Sequence, residues 1–147
     1  MQLSIVISMG GALALCAWAG ETKVKMADLP TAVQAAVKEQ TKNATLVGLA
    51  KEVEKGKTLY EAETKVNGKT RDISFDSAGK IVSVEEEVDI SSIPAAARAA
   101  IEKKAAGAKI KLVETVTEGG TVRYEAAIEK AGKTTEYTVN ADGSLYK

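Results

Sequence analysis

Residues 28–83 and 92–147 are two versions of one segment, set 64 positions apart and aligned without a gap. Fourteen of the 56 aligned positions are identical, among them Pro30/Pro94, Ala32/Ala96, Tyr60-Glu61-Ala62/Tyr124-Glu125-Ala126, Gly68-Lys69-Thr70/Gly132-Lys133-Thr134 and Gly79/Gly143. Many other pairs exchange like for like, such as Leu29/Ile93, Val37/Ile101 and Leu46/Ile110. A chain built this way meets one packing problem twice, so two copies of one supersecondary unit are expected. The shared residues are prolines, glycines and small or apolar side chains, which specify scaffold more than chemistry.

Each copy opens with a helical pattern. Asp28-Leu29-Pro30 precedes Thr31 to Lys42, and Val33, Ala36, Val37 and Gln40 recur at helical spacing. The matching stripe in the second copy is Ala97, Ala100, Ile101 and Lys104. Proline in a first helical turn removes an N–H that has no partner there. Asp28 and one of Ser91 or Ser92 are the expected N-caps. The period then changes to alternation over 44–53, 58–66, 70–75 and 80–88, and over 108–117, 122–130 and 134–139, with a shortened last piece at 144–147. Asn67-Gly68 marks a two-residue hairpin, because both positions tolerate positive φ. Tyr60, Ala62, Thr64 and Val66 share one strand face, which is expected to meet the helix together with Tyr124, Ala126 and Ile128.

The expected fold class is therefore α+β, with two tandem repeats, each a helix followed by an antiparallel β-meander, and the helices packed on one face of the sheet. The expected divisions are 1–19, 20–88 and 89–147. Glu85-Glu86-Glu87-Val88-Asp89 reads as a soluble connector, too short and too strand-like for a free linker. One cooperative unit is expected.

The first 19 residues carry no charged side chain and end in Ala17-Trp18-Ala19. An apolar run closed by a small-x-small triplet reads as a secretory signal cleaved after Ala19. Two alternatives stay open, an uncleaved anchor and a lipid anchor at Cys16. Cleavage would remove the single Cys and single Trp, leaving a chain without thiol, disulfide or histidine. Its 20 basic and 20 acidic side chains balance. That neutrality argues against nucleic acid or an anionic membrane surface as partner.

The ordered set of Leu-Pro or Ile-Pro before a helix, an alternating strand, Tyr-Glu-Ala, Gly-Lys and a closing Asp-x-x-Gly or Asp-Gly turn resembles the PepSY-like domain. The tandem arrangement over about residues 24–147 is similar to PepSY-like proteins grouped with the β-lactamase-inhibitor-protein (BLIP-like) fold. The resemblance implies a secreted or periplasmic, non-enzymatic module that engages a protein or peptide, as a peptidase inhibitor or regulator. Inhibitors of this fold present an aromatic-rich sheet face. Here the outward strand positions are Leu59, Glu61, Glu63 and Lys65, with Arg123, Glu125, Ala127 and Glu129 in the second copy, and none is aromatic. Interface hot spots favour Trp, Tyr and Arg, so the fold carries over further than the target does.

Catalysis finds little support in these residues. Without His or a mature Cys, the usual triads, thiol chemistry and zinc sites are excluded. Glu61 and Glu63 lie about 7 Å apart along one strand face, but their charged neighbours give neither pKa a reason to move. The Asp76 and Asn140 turns lack the alternating oxygen ligands of a calcium loop. No catalytic residue, metal ligand or cofactor is assigned. The expected binding surface is the outward sheet face, Leu59, Glu61, Glu63, Arg123, Glu125 and Ala127. The rival readings are an envelope protein that self-associates through its sheet and a cation or small-molecule sensor.

Overall fold

The computed structural model describes residues 22–54 and 56–146. The expected signal segment, its cleavage site at Ala19 and Cys16 lie outside the described residues. Among the described residues are eight strands: β1 (Thr22–Lys23), β2 (Thr45–Glu54), β3 (Lys57–Val66), β4 (Lys69–Asp76), β5 (Ile81–Glu87), β6 (Lys109–Glu118), β7 (Thr121–Lys130) and β8 (Lys133–Val139). Helix α1 (Thr31–Gln40) precedes β2, and α2 (Ala95–Ala105) precedes β6. The chain divides after Val84 into two compact units.

In the first unit α1 buries Val33 and Val37 against Leu49, Ala62, Ile73 and Phe75, with Leu29 closing the cluster and Tyr60 and Val84 packed at its margin. In the second, Ala97, Ile101 and Ala105 of α2 meet Val113, Ala126, Ile128 and Val139, with Ile93 in the place of Leu29 and Tyr124 at the margin. Alternation in β3 and β7 therefore sends Ala62 and Ala126 to the helix, and the odd-numbered residues between them to the opposite face. Small side chains at these central positions let the helix lie close to the strands.

Turn geometry fixes that closeness. Gly79 sits at φ +78°, and a Cβ there would lie 2.6 Å from the Ala32 carbonyl oxygen in the first turn of α1. Gly143, at φ +81°, would bring a Cβ equally close to the Ala96 carbonyl oxygen on α2. Both the left-handed backbone and the contact require glycine. The Asn67-Gly68 hairpin forms as expected, with φ of 53° and 83°.

The strands belong to one eight-stranded sheet in the order β1-β2-β3-β4-β5-β6-β7-β8. This corrects the expected fold class of two tandem repeats, each a helix with its own antiparallel meander. Among the described residues two short helices accompany a continuous antiparallel sheet; the strand expected over 80–88 forms as β5, which Glu85 to Glu87 complete, and the Val88 N–H donates to the Val113 carbonyl at 2.9 Å. A meander ending at β5 would leave one row of backbone donors and acceptors without strand partners. Pairing with the next segment satisfies them and removes an edge.

Smaller corrections follow local physics. The N-caps of both helices are Pro30 and Pro94, without a side-chain cap. Asp28 instead accepts the Lys25 N–H at 3.0 Å, and Ser92 Oγ donates to the Asp89 carbonyl, each within a 3-10 turn before the helix. The final segment contributes a single bridge, Leu145 to Val139, in place of a fourth strand. Strand β1 was not expected; Thr22 and Lys23 pair with Lys51 and Ala50.

Gly79→Ala combines a positive-φ penalty of about 1–2 kcal/mol with a backbone collision, so it is expected to lower the chemical-denaturation midpoint more than Gly56→Ala, where the space beside the turn is open. Ile101→Ala is expected to cost about 2–5 kcal/mol, read in the same experiment.

Candidate functional site

The helices occupy one side of the strands they pack on, so chemistry is to be sought on the other. Register places Glu61 of β3 between Ala50 of β2 and Ser74 of β4, and Glu63 between Gly48 and Asp72. Glu52 lies opposite Leu59 on the same face. In the second unit Glu125 of β7 lies between Glu114 of β6 and Thr138 of β8, and Ala127 between Leu112 and Glu136. The middle of this face is therefore acidic in each unit. Lys38, Lys42, Lys103 and Lys104 are exposed on the helices or directly after them, beside exposed Glu39 and Glu102.

The six residues expected to form the surface are placed unequally. Glu61 and Glu63 are half-buried. Leu59, Arg123, Glu125 and Ala127 are each less than a tenth exposed. Arg123 is engaged within the protein: its guanidinium pairs with Glu118 and lies 4.0 Å from the centre of the Tyr146 ring. Together with the Tyr146 N–H to Thr138 carbonyl bond of 3.1 Å, this holds the chain end against β8. Glu125 accepts a 2.6 Å hydrogen bond from Thr138 through Oε2, while its Oε1 is buried without a hydrogen-bond partner.

Asp72 was not among the expected residues. It is 4 % exposed, its Oδ1 accepts the Thr64 N–H at 3.1 Å, and its Oδ2 has no hydrogen-bond partner. The signal for it was present: a two-residue turn at Asn67-Gly68 puts residue 72 opposite residue 63. Burial is the main cause that raises the Asp72 carboxyl from 3.8 to about 6; the Thr64 N–H opposes the shift and the neighbouring Glu63 charge adds to it. Burial likewise pushes the Glu125 carboxyl up, against the Thr138 hydrogen bond and the Arg123 charge. Ser83, on the face of β5 opposite Val84, also has a buried hydroxyl without a partner.

Gly48 has a different role from the turn glycines. A β-bulge between Leu46 and Gly48 sets its register, and a Cβ there would lie 2.9 Å from Glu63 Oε2. The missing side chain thus leaves room for the Glu63 carboxylate to lie across β2. A matching bulge between Ile110 and Leu112 occurs in the second unit, where Leu112 stands in place of the glycine and Ala127 in place of the glutamate. Among the described residues no group of three or more His, Cys, Asp or Glu side chains converges to hold a metal ion.

The chain matches no protein-family model and no curated protein. Solved structures do share its fold. A protein assigned to the periplasm of Bacteroides eggerthii superposes with a TM-score of 0.64 at 18% identity, over 81% of this chain and 86% of that one. A DUF2874 family protein from Bacteroides ovatus gives a TM-score of 0.60 at 19% identity, over 81% and 85%. A BLIP-like protein from Bacteroides fragilis gives 0.55 at 21% identity, over 81% and 84%. The BLIP-like fold is thereby shared.

Two expectations follow from the site. An acid whose pKa is raised on folding stabilises the protein when protonated, so the Asp72 contribution is fully present below pH 3.8 and is lost as pH rises through about 6. Denaturation midpoints are expected to fall between pH 4.5 and 7.5, and Asp72→Asn is expected to flatten that dependence and raise stability at pH 7.5 by roughly 1–3 kcal/mol. Arg123→Ala is expected to release the chain end, read as narrowed, random-coil-like NMR signals for Leu145 and Tyr146, at a cost of about 1–2 kcal/mol.

Proposed function

We propose that this chain is an exported, non-catalytic PepSY-like module that binds a protein or peptide through the strand face opposite the helix of each unit. The face carries Leu59, Glu61, Glu63, Arg123, Glu125 and Ala127, with Glu61 and Glu63 the most accessible of the six. The observation that carries this reading is the pair of nine-tenths-buried carboxylates on that face, Asp72 and Glu125, each with one oxygen lacking a hydrogen-bond partner. A fold maintained only for its own stability gains nothing from such groups, since each unmet acceptor costs about 1–3 kcal/mol.

Absence of histidine throughout the chain and of a cysteine beyond Cys16 supports the non-catalytic reading. Likeness in fold to a BLIP-like protein and to a protein assigned to the periplasm supports export and an interaction role. An inhibitor of the aromatic-faced kind is not favoured, because the central positions hold carboxylates.

The test is capture from the native envelope fraction with the wild-type chain beside Glu61→Lys/Glu63→Lys, circular dichroism establishing that both are folded. A partner held by the wild type and lost by the variant is the expected outcome. A partner held equally by both removes the binding site from this face, and concentration-dependent self-association without a partner replaces the reading with the envelope-scaffold one.

A further inference from the structure

We propose that Glu114 of β6 and Glu125 of β7 hold one proton between them, as a carboxylic acid facing a carboxylate, and that its loss is felt at β8 and the chain end. The inference concerns the second unit alone and goes beyond the binding reading, since it needs no partner.

Register brings the two acids together. They lie directly opposite each other on neighbouring strands, so both point to the face away from α2, with Cβ atoms about 4.5–5.5 Å apart. Glu114 is 1 % exposed and Glu125 is 6 % exposed. Two carboxylates this close and this far from water resist being ionised together, because each charge is poorly solvated and raises the cost of the other. Glu125 Oε1 is buried without a hydrogen-bond partner, as is Oε2 of Glu114. A carboxylate only accepts hydrogen bonds, whereas a protonated carboxyl donates one. One proton therefore turns two facing acceptors into a donor and an acceptor.

The surroundings decide which side keeps the proton. Burial pushes the Glu125 carboxyl up, while the Thr138 hydroxyl, donating to its Oε2 at 2.6 Å, and the Arg123 charge act the other way. Those two favour the charged form of Glu125. Glu114 has a different neighbour: the Val88 N–H to Val113 carbonyl bond and the Thr115 hydroxyl to Glu86 carbonyl contact place Glu87 of β5 beside it. A nearby carboxylate disfavours a charge on Glu114, so the proton rests there with Glu125 as its acceptor. The other charged groups of this face stand farther along the strands: Glu85 on β5, Glu118 paired with Arg123, Glu136 on β8, and Lys111 paired with Glu129. Burying the one remaining charge still costs stability, so this pair, like Asp72, is not explained by stability alone.

The pair is linked to the chain end. Thr138, which donates to Glu125, accepts the Tyr146 N–H at 3.1 Å through its carbonyl. Retained protons stabilise this arrangement in acid, and the stabilisation is lost as pH rises through the last ionisation of the pair, where two buried charges face each other.

The experiment is an NMR pH titration of protein labelled at its glutamate carboxyl carbons, for the wild type, Glu125→Gln and Glu114→Gln, with circular dichroism establishing that each is folded. The wild-type pair is expected to ionise in two separate steps. In Glu125→Gln, Glu114 is expected to bind its proton at least about tenfold more weakly than in the wild type, because it no longer faces a charge. In Glu114→Gln only one step is expected, and the movement of the Thr138 and Tyr146 amides through the upper wild-type step disappears. Burial acting on each acid separately predicts that Glu114 titrates at the same pH with and without Glu125, and that result overturns the proposal. So does an upper-step movement of the Thr138 and Tyr146 amides that persists in Glu114→Gln, or that is absent from the wild type. The binding reading is decided by capture through Glu61 and Glu63, so either can fail without the other.

Discussion

Everything else in this protein depends on a short helix lying close against a few strands. Val33 and Val37 in the first unit, and Ala97 and Ile101 in the second, reach zero exposure because the strand positions beneath them are Ala62 and Ala126, and because a glycine turn touches the first turn of each helix. Ten or eleven residues form a marginal helix in water. Burial of one narrow stripe, fixed by Gly79 and Gly143, makes each of these helices a stable part of the fold.

That constraint divides the side chains of every strand. Once the alternating residues Tyr60, Ala62 and Thr64 are assigned to the helix side, Leu59, Glu61 and Glu63 have to face the other way. Core packing thereby determines which residues are available for function without choosing their chemistry. What occupies the second face is acidic in the middle of each unit, and parts of it are buried more deeply than a simply solvated sheet face requires. Asp72 and Glu125 keep raised proton affinity there because burial outweighs the hydrogen bonds that each accepts. In the second unit the Arg123 guanidinium is engaged internally by Glu118 and Tyr146.

Much of the local structure was legible. Helix spacing, the Asn67-Gly68 hairpin and the alternation of β3 and β7 each follow from one short-range rule, and the structure places them within a few residues of the expected bounds. Helix capping was misread because Leu-Pro and Ile-Pro force an extended entry, so the proline itself takes the cap position and Asp28 and Ser92 serve the preceding turns. Asp72 was missed because a lone Asp in an alternating strand carries no mark of burial. The bulges before Gly48 and Leu112 left no mark either, since an extra residue in one strand is defined by its partner.

The sequence by itself determined which segments are helical or extended, which strand residues share a face, and that histidine, disulfide and thiol chemistry are absent beyond Cys16. These depend on periodicity, turn residues and composition, all of which act over a few neighbours. Only the tertiary structure decided that the strands join one eight-stranded sheet instead of two separate meanders. It also decided that Asp72 is buried beside Glu63 while Arg123 is turned to its own C-terminal tyrosine. The physical reason is that strand pairing, bulge position and desolvation of a carboxylate depend on groups brought together from distant parts of the chain. A periodic pattern specifies a face, and the neighbouring strands specify what that face can hold.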